Sequence, residues 1–246
     1  DAVREITRYR EDCIINGRVR APMLVGAGGH ACPVSRHLRG GEDIGVPLIR
    51  AQEAEFPIPE DAEDAVRGEA PELYFCPDLA GYGWILRKGR YLNVGLGRED
   101  PRDLPGHVTR FCTWLRDTGR LASNPVSFKG HAYRLYDSAM PNPVRDGVVL
   151  IGDAAGLAHP QTGEGIRPAA ESGLAAAAAI QEAAGDYRLN RLASYMERLH
   201  VALGRPSGEA SRLIPRFARR ALGRAMLSNR WLTRRVVLES WFLQGV

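Results

Sequence analysis

The stretch that decides the fold reads GVVLIGDAAGLAHPQTGEGIRPAAESGLAAAAAIQEAA, residues 147–184. It opens with an apolar run that ends at Gly152-Asp153, which predicts a buried strand. Its last part is rich in Ala and Gly and predicts a helix over residues 165–184. Pro168 falls in the first turn of that helix, where a missing N–H has no intrahelical partner to lose. A strand, a short loop and a helix in this order are typical of α/β proteins.

The loop and the helix start are the first candidate binding residues. The loop carries Pro160, Gly163 and Gly165. The helix start presents unpaired N–H groups and the positive end of the helix dipole, which suit an anion or a polarised carbonyl. Asp153 lies at the carboxyl end of the strand, where its carboxylate can accept hydrogen bonds from sugar-like hydroxyls.

The same stretch resembles the Gly-Asp motif of flavoproteins of the p-hydroxybenzoate hydroxylase type, and especially that of the geranylgeranyl reductase family. The resemblance implies that the aspartate binds the ribityl chain of FAD. It also implies that the P-x-x-G-x-G loop and the next helix face the pyrimidine edge of the flavin. A generic strand-turn-helix is the alternative. The matching positions are Gly152, Asp153, Pro160, Gly163, Gly165 and Ile166.

A second motif, APMLVGAGGHACPVSRHL, spans residues 21–38 and has two interpretations. Its glycines spell G-x-G-x-x-A, the phosphate-binding turn of a dinucleotide-binding domain, and Glu53 and Glu55 lie not far beyond the spacing of a ribose-binding acid. It also resembles a later flavoprotein motif, VGADG followed by S-P-V-R, with Gly28 at the aspartate position and Cys32 before the proline.

Three short strands predicted ahead of this motif favour the later position. The phosphate-binding turn would then precede Asp1, and we expect an N-terminal portion to be missing from this chain. Gly28 is counted among the cofactor-binding candidates. Because it replaces an aspartate that supports flavin and nicotinamide contacts in the family, the contact to NAD(P)H stays open.

A third match, PDLAGYGWILRKGRYLNVGLGR, covers residues 77–98. It resembles the family segment G-Y-x-W-I-F-P-K-G followed by N-V-G, with Leu86 and Arg87 in place of Phe-Pro. The resemblance implies a hairpin of the substrate domain whose aromatic residues line a cavity over the flavin. Tyr82 and Trp84 share a face if the segment is a strand, although core packing is the alternative for both. The glycines around them favour a ligand cavity over a simple core. Weaker candidates for substrate binding are Tyr74 and His131.

The pattern as a whole predicts an α/β protein with an α+β substrate part. We expect an FAD/NAD(P)-binding, Rossmann-like domain that is interrupted by a mixed-sheet substrate domain and followed by a helical, basic tail. The expected boundaries are 1–45 and 141–200 for the two segments of the FAD-binding domain, 46–140 for the substrate domain, and 201–246 for the tail.

Charge and cysteine content narrow the function class. The 246 residues include four cysteines, none spaced as C-x-x-C, so neither a zinc site nor a disulfide framework is indicated. The simplest location is a reducing cytoplasm. The tail is rich in arginine, which favours either a solvated helical face or contact with an anionic partner. Apolar tail residues that could form an interfacial or cavity-capping stripe are Leu213, Phe217, Leu222, Met226, Trp231, Leu232, Val236 and Trp241.

The resemblance implies an FAD-dependent oxidoreductase that reduces C=C bonds of a prenyl-type substrate, with NAD(P)H as a candidate electron donor. No catalytic residue is assigned, and no metal is expected. A monooxygenase or halogenase of the same fold is the alternative, although the W-x-W-x-I-P motif of such halogenases is not matched at Tyr82 to Arg87. Peripheral membrane contact through the tail is left open. Nucleic-acid binding is the alternative of another class, and no recognition motif accompanies the charge.

Overall fold

The computed structural model describes residues 2–41, 46–58, 66, 70–100, 102–122, 125, 127–137, 142–206, 223, 225–229, 231 and 233. The chain divides into two compact units. The first comprises residues 1–47, 133–215 and 226–246, and the second comprises residues 48–132 and 216–225. Residues 133–137 therefore belong to the first unit, whereas the sequence analysis placed them in the interrupting segment.

The strands and helices follow the predicted order along the chain. The strands are β1 (Ile6–Tyr9), β2 (Asp12–Ile15), β3 (Val19–Ala21), β4 (Leu24–Gly26), β5 (Leu48–Pro57), β6 (Glu72–Phe75), β7 (Gly81–Lys88), β8 (Tyr91–Arg98), β9 (Lys129–Arg134), β10 (Val144–Arg145) and β11 (Val148–Leu150). The helices are α1 (Pro33–Leu38), α2 (Leu104–Asp117), α3 (Ile166–Ala183) and α4 (Ser194–Leu203).

Two small sheets form the first unit. Strands β1, β2 and β3 make an antiparallel meander, and β10, β11 and β4 make a second sheet in that order. Within the second sheet β11 and β4 run parallel, with Leu150 opposite Gly26. The two strands singled out from the sequence are thus neighbours in one sheet, and their carboxyl ends lie side by side.

Helix α3 packs on this sheet through small residues. Ala175, Ala176 and Ala179 are buried in one core with Val148 and Val149 of β11. Side chains this small let the helix approach the strand closely. The helix begins at Ile166 and ends at Ala183, as the composition predicted.

The second unit is a five-stranded sheet, in the order β6-β7-β8-β5-β9, with α2 on one face. Ile85 and Val94, which are fully buried, pack with Val108 and Leu115 of the helix. Strands β7 and β8 form the predicted hairpin, and Gly89 takes the positive φ of 57° that its turn requires. The sheet thus has one face covered by α2 and one face that the helix leaves open.

In the part of the chain that the structure describes, no helix is long and apolar enough to cross a membrane. Among the apolar residues assigned to the tail, Met226 and Trp231 are described, and Trp231 is exposed. The others lie outside the described residues: Leu213, Phe217, Leu222, Leu232, Val236 and Trp241.

Candidate functional site

The carboxyl ends of β4 and β11 place two turns next to each other. The Ile151 N–H donates to the Gly26 carbonyl at 3.0 Å, which extends the parallel pairing by one residue. Each strand then enters a single 3-10 turn, at Gly29–Ala31 and at Gly152–Ala154, and the two turns are in contact. Ligands of open α/β sheets bind at this kind of edge.

Gly26 and Gly28 differ in what they require. A Cβ on Gly26 would lie 2.5 Å from Leu150 Cδ2 and 2.9 Å from Val34 Cβ, so the packing of the strand demands glycine. Gly28 is exposed and has φ −84°, a value that any residue adopts. A Cβ there would lie 3.2 Å from the Cys32 Cα. The backbone at Gly28 therefore does not require the departure from the family's aspartate.

The Gly152-Asp153 turn is built on a left-handed residue. Gly152 has φ +54°, a conformation that favours glycine. Its N–H donates to Ser172 Oγ at 2.9 Å. Asp153 is half-buried, and its Oδ1 lies 3.4 Å from where a Cβ on Gly165 would stand. Asp153 thus lies beside the start of α3, and the glycine at 165 leaves room next to its carboxylate.

The loop before α3 is closed by its own backbone. The His159 N–H donates to the Glu164 carbonyl at 2.7 Å, and the Gly163 N–H donates to the His159 carbonyl at 2.8 Å. Gly163 has φ +71°, and a Cβ there would lie 2.5 Å from the Tyr133 hydroxyl oxygen. This loop is therefore a fixed shape that only glycine permits at position 163.

The ring of His159 is held in one tautomer. Its Nδ1 lies 3.4 Å from the Thr162 backbone N and 3.1 Å from Thr162 Oγ1, which itself accepts the Glu164 N–H at 3.2 Å. Nδ1 is therefore an acceptor, and the ring proton is on Nε2. Burial lowers the pKa of His159, against a smaller opposing effect of Glu164. The imidazole is thus a neutral N–H donor at neutral pH.

Part of the N-terminus of α3 is already capped. Glu164 Oε1 accepts the Arg167 N–H at 2.8 Å, and Pro168 has no N–H. The sequence analysis expected this helix end to be open to an anion. Instead, the Glu164 carboxylate offsets part of its positive potential, and the N–H groups of Gly165 and Ile166 precede the first intrahelical bond. Ile166 is 85% exposed.

A cavity of about 310 Å³ opens beside this loop. It is lined by polar and apolar side chains of the loop and of the first turn of α3. Residues on its wall include His159, Pro160, Thr162, Glu164 and Arg167.

Tyr82 and Trp84 lie on the face of the second unit's sheet that α2 leaves open. Their ring centroids are 6.0 Å apart. Trp84 lies across Gly95 of β8, where a Cβ would stand 2.1 Å from Trp84 Cζ2. The Trp84 Nε1–H donates to Asn93 Oδ1 at 2.7 Å. The indole is therefore fixed in orientation by a glycine gap and by one hydrogen bond.

Tyr74 does not share this face. It pairs with Gly83 on β7 and packs against α2, with ring centroids 5.6 Å from Phe111 and 4.9 Å from Trp114. Its hydroxyl donates to Glu72, and burial followed by that hydrogen bond raises the pKa of Tyr74 to about 12. The three rings line a largely apolar cavity of about 670 Å³ on the helix side of the sheet.

The glycine at 83 has a packing role that the sequence analysis missed. A Cβ there would lie 2.6 Å from Phe111 Cε1. The sequence analysis read the hairpin glycines as a sign of a ligand cavity, but Gly83 admits an aromatic ring of α2. His131 is exposed on β9, away from the aromatic residues named above in the strand order.

Two buried residues of the first unit carried no sequence signal. Ser172 and Tyr195 are 0% exposed, and each bonds the segment around Gly152. Among the described residues, no group of three or more His, Cys, Asp or Glu side chains is placed to hold a metal ion.

No protein-family model matches the sequence. The digeranylgeranylglycerophospholipid reductase of Methanosphaerula palustris is 30% identical over 194 residues, which are 75% of this chain and 46% of that protein. A geranylgeranyl bacteriochlorophyll reductase-like structure from Thermoplasma acidophilum superposes with a TM-score of 0.63 at 22% identity, covering 82% of this chain and 54% of that one. The chain belongs to the geranylgeranyl reductase family.

The geranylgeranyl reductase family shares its fold with other flavoproteins. PqsL of Pseudomonas aeruginosa, described as a probable FAD-dependent monooxygenase, superposes with a TM-score of 0.60 at 21% identity, covering 90% of this chain and 65% of that one. The predicted fold class, an α/β domain interrupted by a mixed-sheet domain, is confirmed. The chain spans less than half the length of the curated geranylgeranyl reductase relatives first matched.

Proposed function

We propose that the protein is an FAD-dependent oxidoreductase that reduces C=C bonds of an isoprenoid or related apolar substrate. The observation that carries this proposal is the turn at Gly152-Asp153, set beside the carboxyl end of β4 and followed by a glycine loop and α3. The named reductase relative supports the same class of reaction.

The residues present fit a flavin. The turn and the loop are kept free of side chains where Gly152, Gly163 and Gly165 stand, so a planar ligand can approach the backbone. Asp153 supplies a carboxylate for the hydroxyls of a ribityl chain. The proposed FAD-binding residues are Gly28, Gly152, Asp153, Pro160, Gly163, Gly165 and Ile166.

When bound, FAD supplies the transfer of a hydride equivalent, with NAD(P)H as the proposed electron donor. The chain contributes binding and orientation. The N–H groups at the start of α3 polarise the ligand edge that they face. Because Glu164 already caps Arg167, their effect on a negative charge is smaller than that of an open helix end.

The apolar substrate is proposed to bind the second unit. Two surfaces compete there, on opposite faces of one sheet. The family resemblance favours the face of Tyr82 and Trp84, whereas the cavity of about 670 Å³ lies on the face of Tyr74 and Trp114. We assign the prenyl chain to the Trp84 face, because a glycine gap and a hydrogen bond orient that ring.

A monooxygenase is the alternative, and it is favoured by the shared fold with PqsL. The two activities differ in their product. A reductase adds H₂ to each double bond, whereas a monooxygenase adds an oxygen atom.

The test is a visible absorption spectrum of the purified complete protein, followed by turnover with a geranylgeranyl lipid, NADPH and mass spectrometry. We expect flavin bands and a product that gains H₂ per reduced bond. A colourless protein that gains no flavin bands with added FAD contradicts the proposal. An oxygen-containing product selects the monooxygenase. A salt-dependent DNA titration of the same sample tests the arginine-rich tail, and saturable binding would revive the nucleic-acid alternative.

A further inference from the structure

Two buried hydroxyls lie behind the Gly152-Asp153 turn. Ser172 on α3 and Tyr195 on α4 are both 0% exposed. A buried polar group stabilises a fold only if it is hydrogen-bonded. Both hydroxyls satisfy this condition through backbone atoms at the end of β11.

The two hydrogen bonds grip the chain on both sides of Ile151. The Tyr195 hydroxyl donates to the Leu150 carbonyl at 2.7 Å. The Gly152 N–H donates to Ser172 Oγ at 2.9 Å, and that hydroxyl in turn donates to the Ala169 carbonyl at 3.0 Å. Because the Ser172 proton is used on Ala169, its lone pair is directed to Gly152.

These bonds fix the residue that precedes Asp153. Gly152 has a left-handed φ of 54°, with a Cβ position 3.1 Å from the Ala169 Cβ. A glycine backbone in this region has many alternatives when unrestrained. Bonds on residues 150 and 152 remove them, so the direction in which Asp153 leaves the turn is set by α3 and α4.

We propose that Ser172 and Tyr195 are positioning residues for the cofactor, and that they hold the Gly152-Asp153 turn in the conformation that binds FAD. This inference rests on the proposed function. A shell of supporting hydrogen bonds is what keeps a binding residue in its productive geometry.

The same core offers a matched control. Tyr136 is 7% exposed and belongs to the same buried cluster as Tyr195, but its hydroxyl has no hydrogen-bond partner among the described residues. Tyr136→Phe and Tyr195→Phe are therefore the same chemical change in one core, and only the second removes a bond to the turn.

The experiment has two measurements on the complete protein. Amide hydrogen exchange at Gly152 is followed without added FAD, and FAD affinity is measured by isothermal titration. We expect Ser172→Ala to speed exchange at Gly152. We expect Ser172→Ala and Tyr195→Phe each to raise the Kd for FAD by about three- to tenfold, the loss of one hydrogen bond. Tyr136→Phe is expected to match the wild type, and Ser172→Thr, which keeps the hydroxyl, to recover most of the affinity.

Each outcome decides the inference. Unchanged exchange at Gly152 in Ser172→Ala overturns it, as does unchanged FAD affinity in both Ser172→Ala and Tyr195→Phe. An equal loss in Tyr136→Phe also overturns it, because the effect then follows general core damage. These results leave the proposed function standing. A wild-type protein that binds no FAD overturns the proposed function and this inference with it.

Discussion

At the scale of single residues, His159 is a group whose protonation state is set by its neighbours. Its Nδ1 accepts from Thr162, and burial lowers its pKa. In the unfolded chain the pKa returns to about 6.5. Below that pH the unfolded state takes up a proton that the folded state refuses. Stability is therefore present at neutral pH and is lost as the pH falls from about 6.5 towards the folded pKa.

This predicts a steep fall in the free energy of unfolding of the wild type between about pH 6.5 and pH 5. In His159→Gln the fall over the same range should be shallower. Urea unfolding at a series of pH values measures both, with His37→Gln on the exposed surface of α1 as the control substitution. Parallel curves for wild type and His159→Gln would show that the imidazole does not titrate with folding.

At the scale of elements, the loop and the helix it starts use glycine in opposite ways. Gly163 has φ +71° and faces the Tyr133 hydroxyl, so Gly163→Ala should cost about 1–3 kcal/mol of stability. Gly173 lies inside α3, and a Cβ added there would have its nearest neighbour, Ile151 Cδ1, at 4.0 Å. Gly173→Ala should therefore gain about 0.5–1 kcal/mol. Equal effects in denaturant unfolding would contradict this account of the loop.

The hairpin carries a prediction about substrate. Trp84→Ala and Trp114→Ala are the same truncation on opposite faces of one sheet. If the prenyl chain binds the Trp84 face, Trp84→Ala should lower turnover per folded molecule more than Trp114→Ala does. Because Trp84 is only half-buried, its loss should cost less than the roughly 3–5 kcal/mol of a core tryptophan.

The check combines unfolding midpoints with steady-state turnover of a prenyl substrate in the complete protein. A loss of stability in the core range with turnover intact would make Trp84 a packing residue. A turnover loss confined to Trp114→Ala would instead move the substrate to the cavity on the helix side.

Sequence reasoning reached the elements whose signals are local. The strand before Gly152, the helix from Ile166 and the turn at Gly89 each follow from a few adjacent residues. The face on which Tyr74 points was not accessible in this way, because it depends on the register of β6 against β7, and a slip of one residue reverses it. Ser172 was missed because a serine in an alanine-rich helix gives no sign of what it bonds.

At the scale of the whole molecule, the chain builds one unit, interrupts it with residues 48–132, and returns to it. The sequence predicted this path, because the two strand motifs belong to one type of domain and the hairpin to another. The second boundary was placed too late. Strand β9 runs from Lys129 to Arg134 across the division between residues 132 and 133, and no change of composition marks that point.

The central claim is that the first unit binds FAD through the Gly152-Asp153 turn. Isothermal titration of the complete protein with FAD tests it most directly, with Asp153→Ala beside Asp186→Ala, a carboxylate of the same unit that pairs with Arg188. We expect Asp153→Ala to weaken binding by about 1–3 kcal/mol, the loss of a charge-assisted hydrogen bond, and Asp186→Ala to leave it unchanged. An FAD affinity of Asp153→Ala equal to that of the wild type would contradict the claim and remove Asp153 from the site.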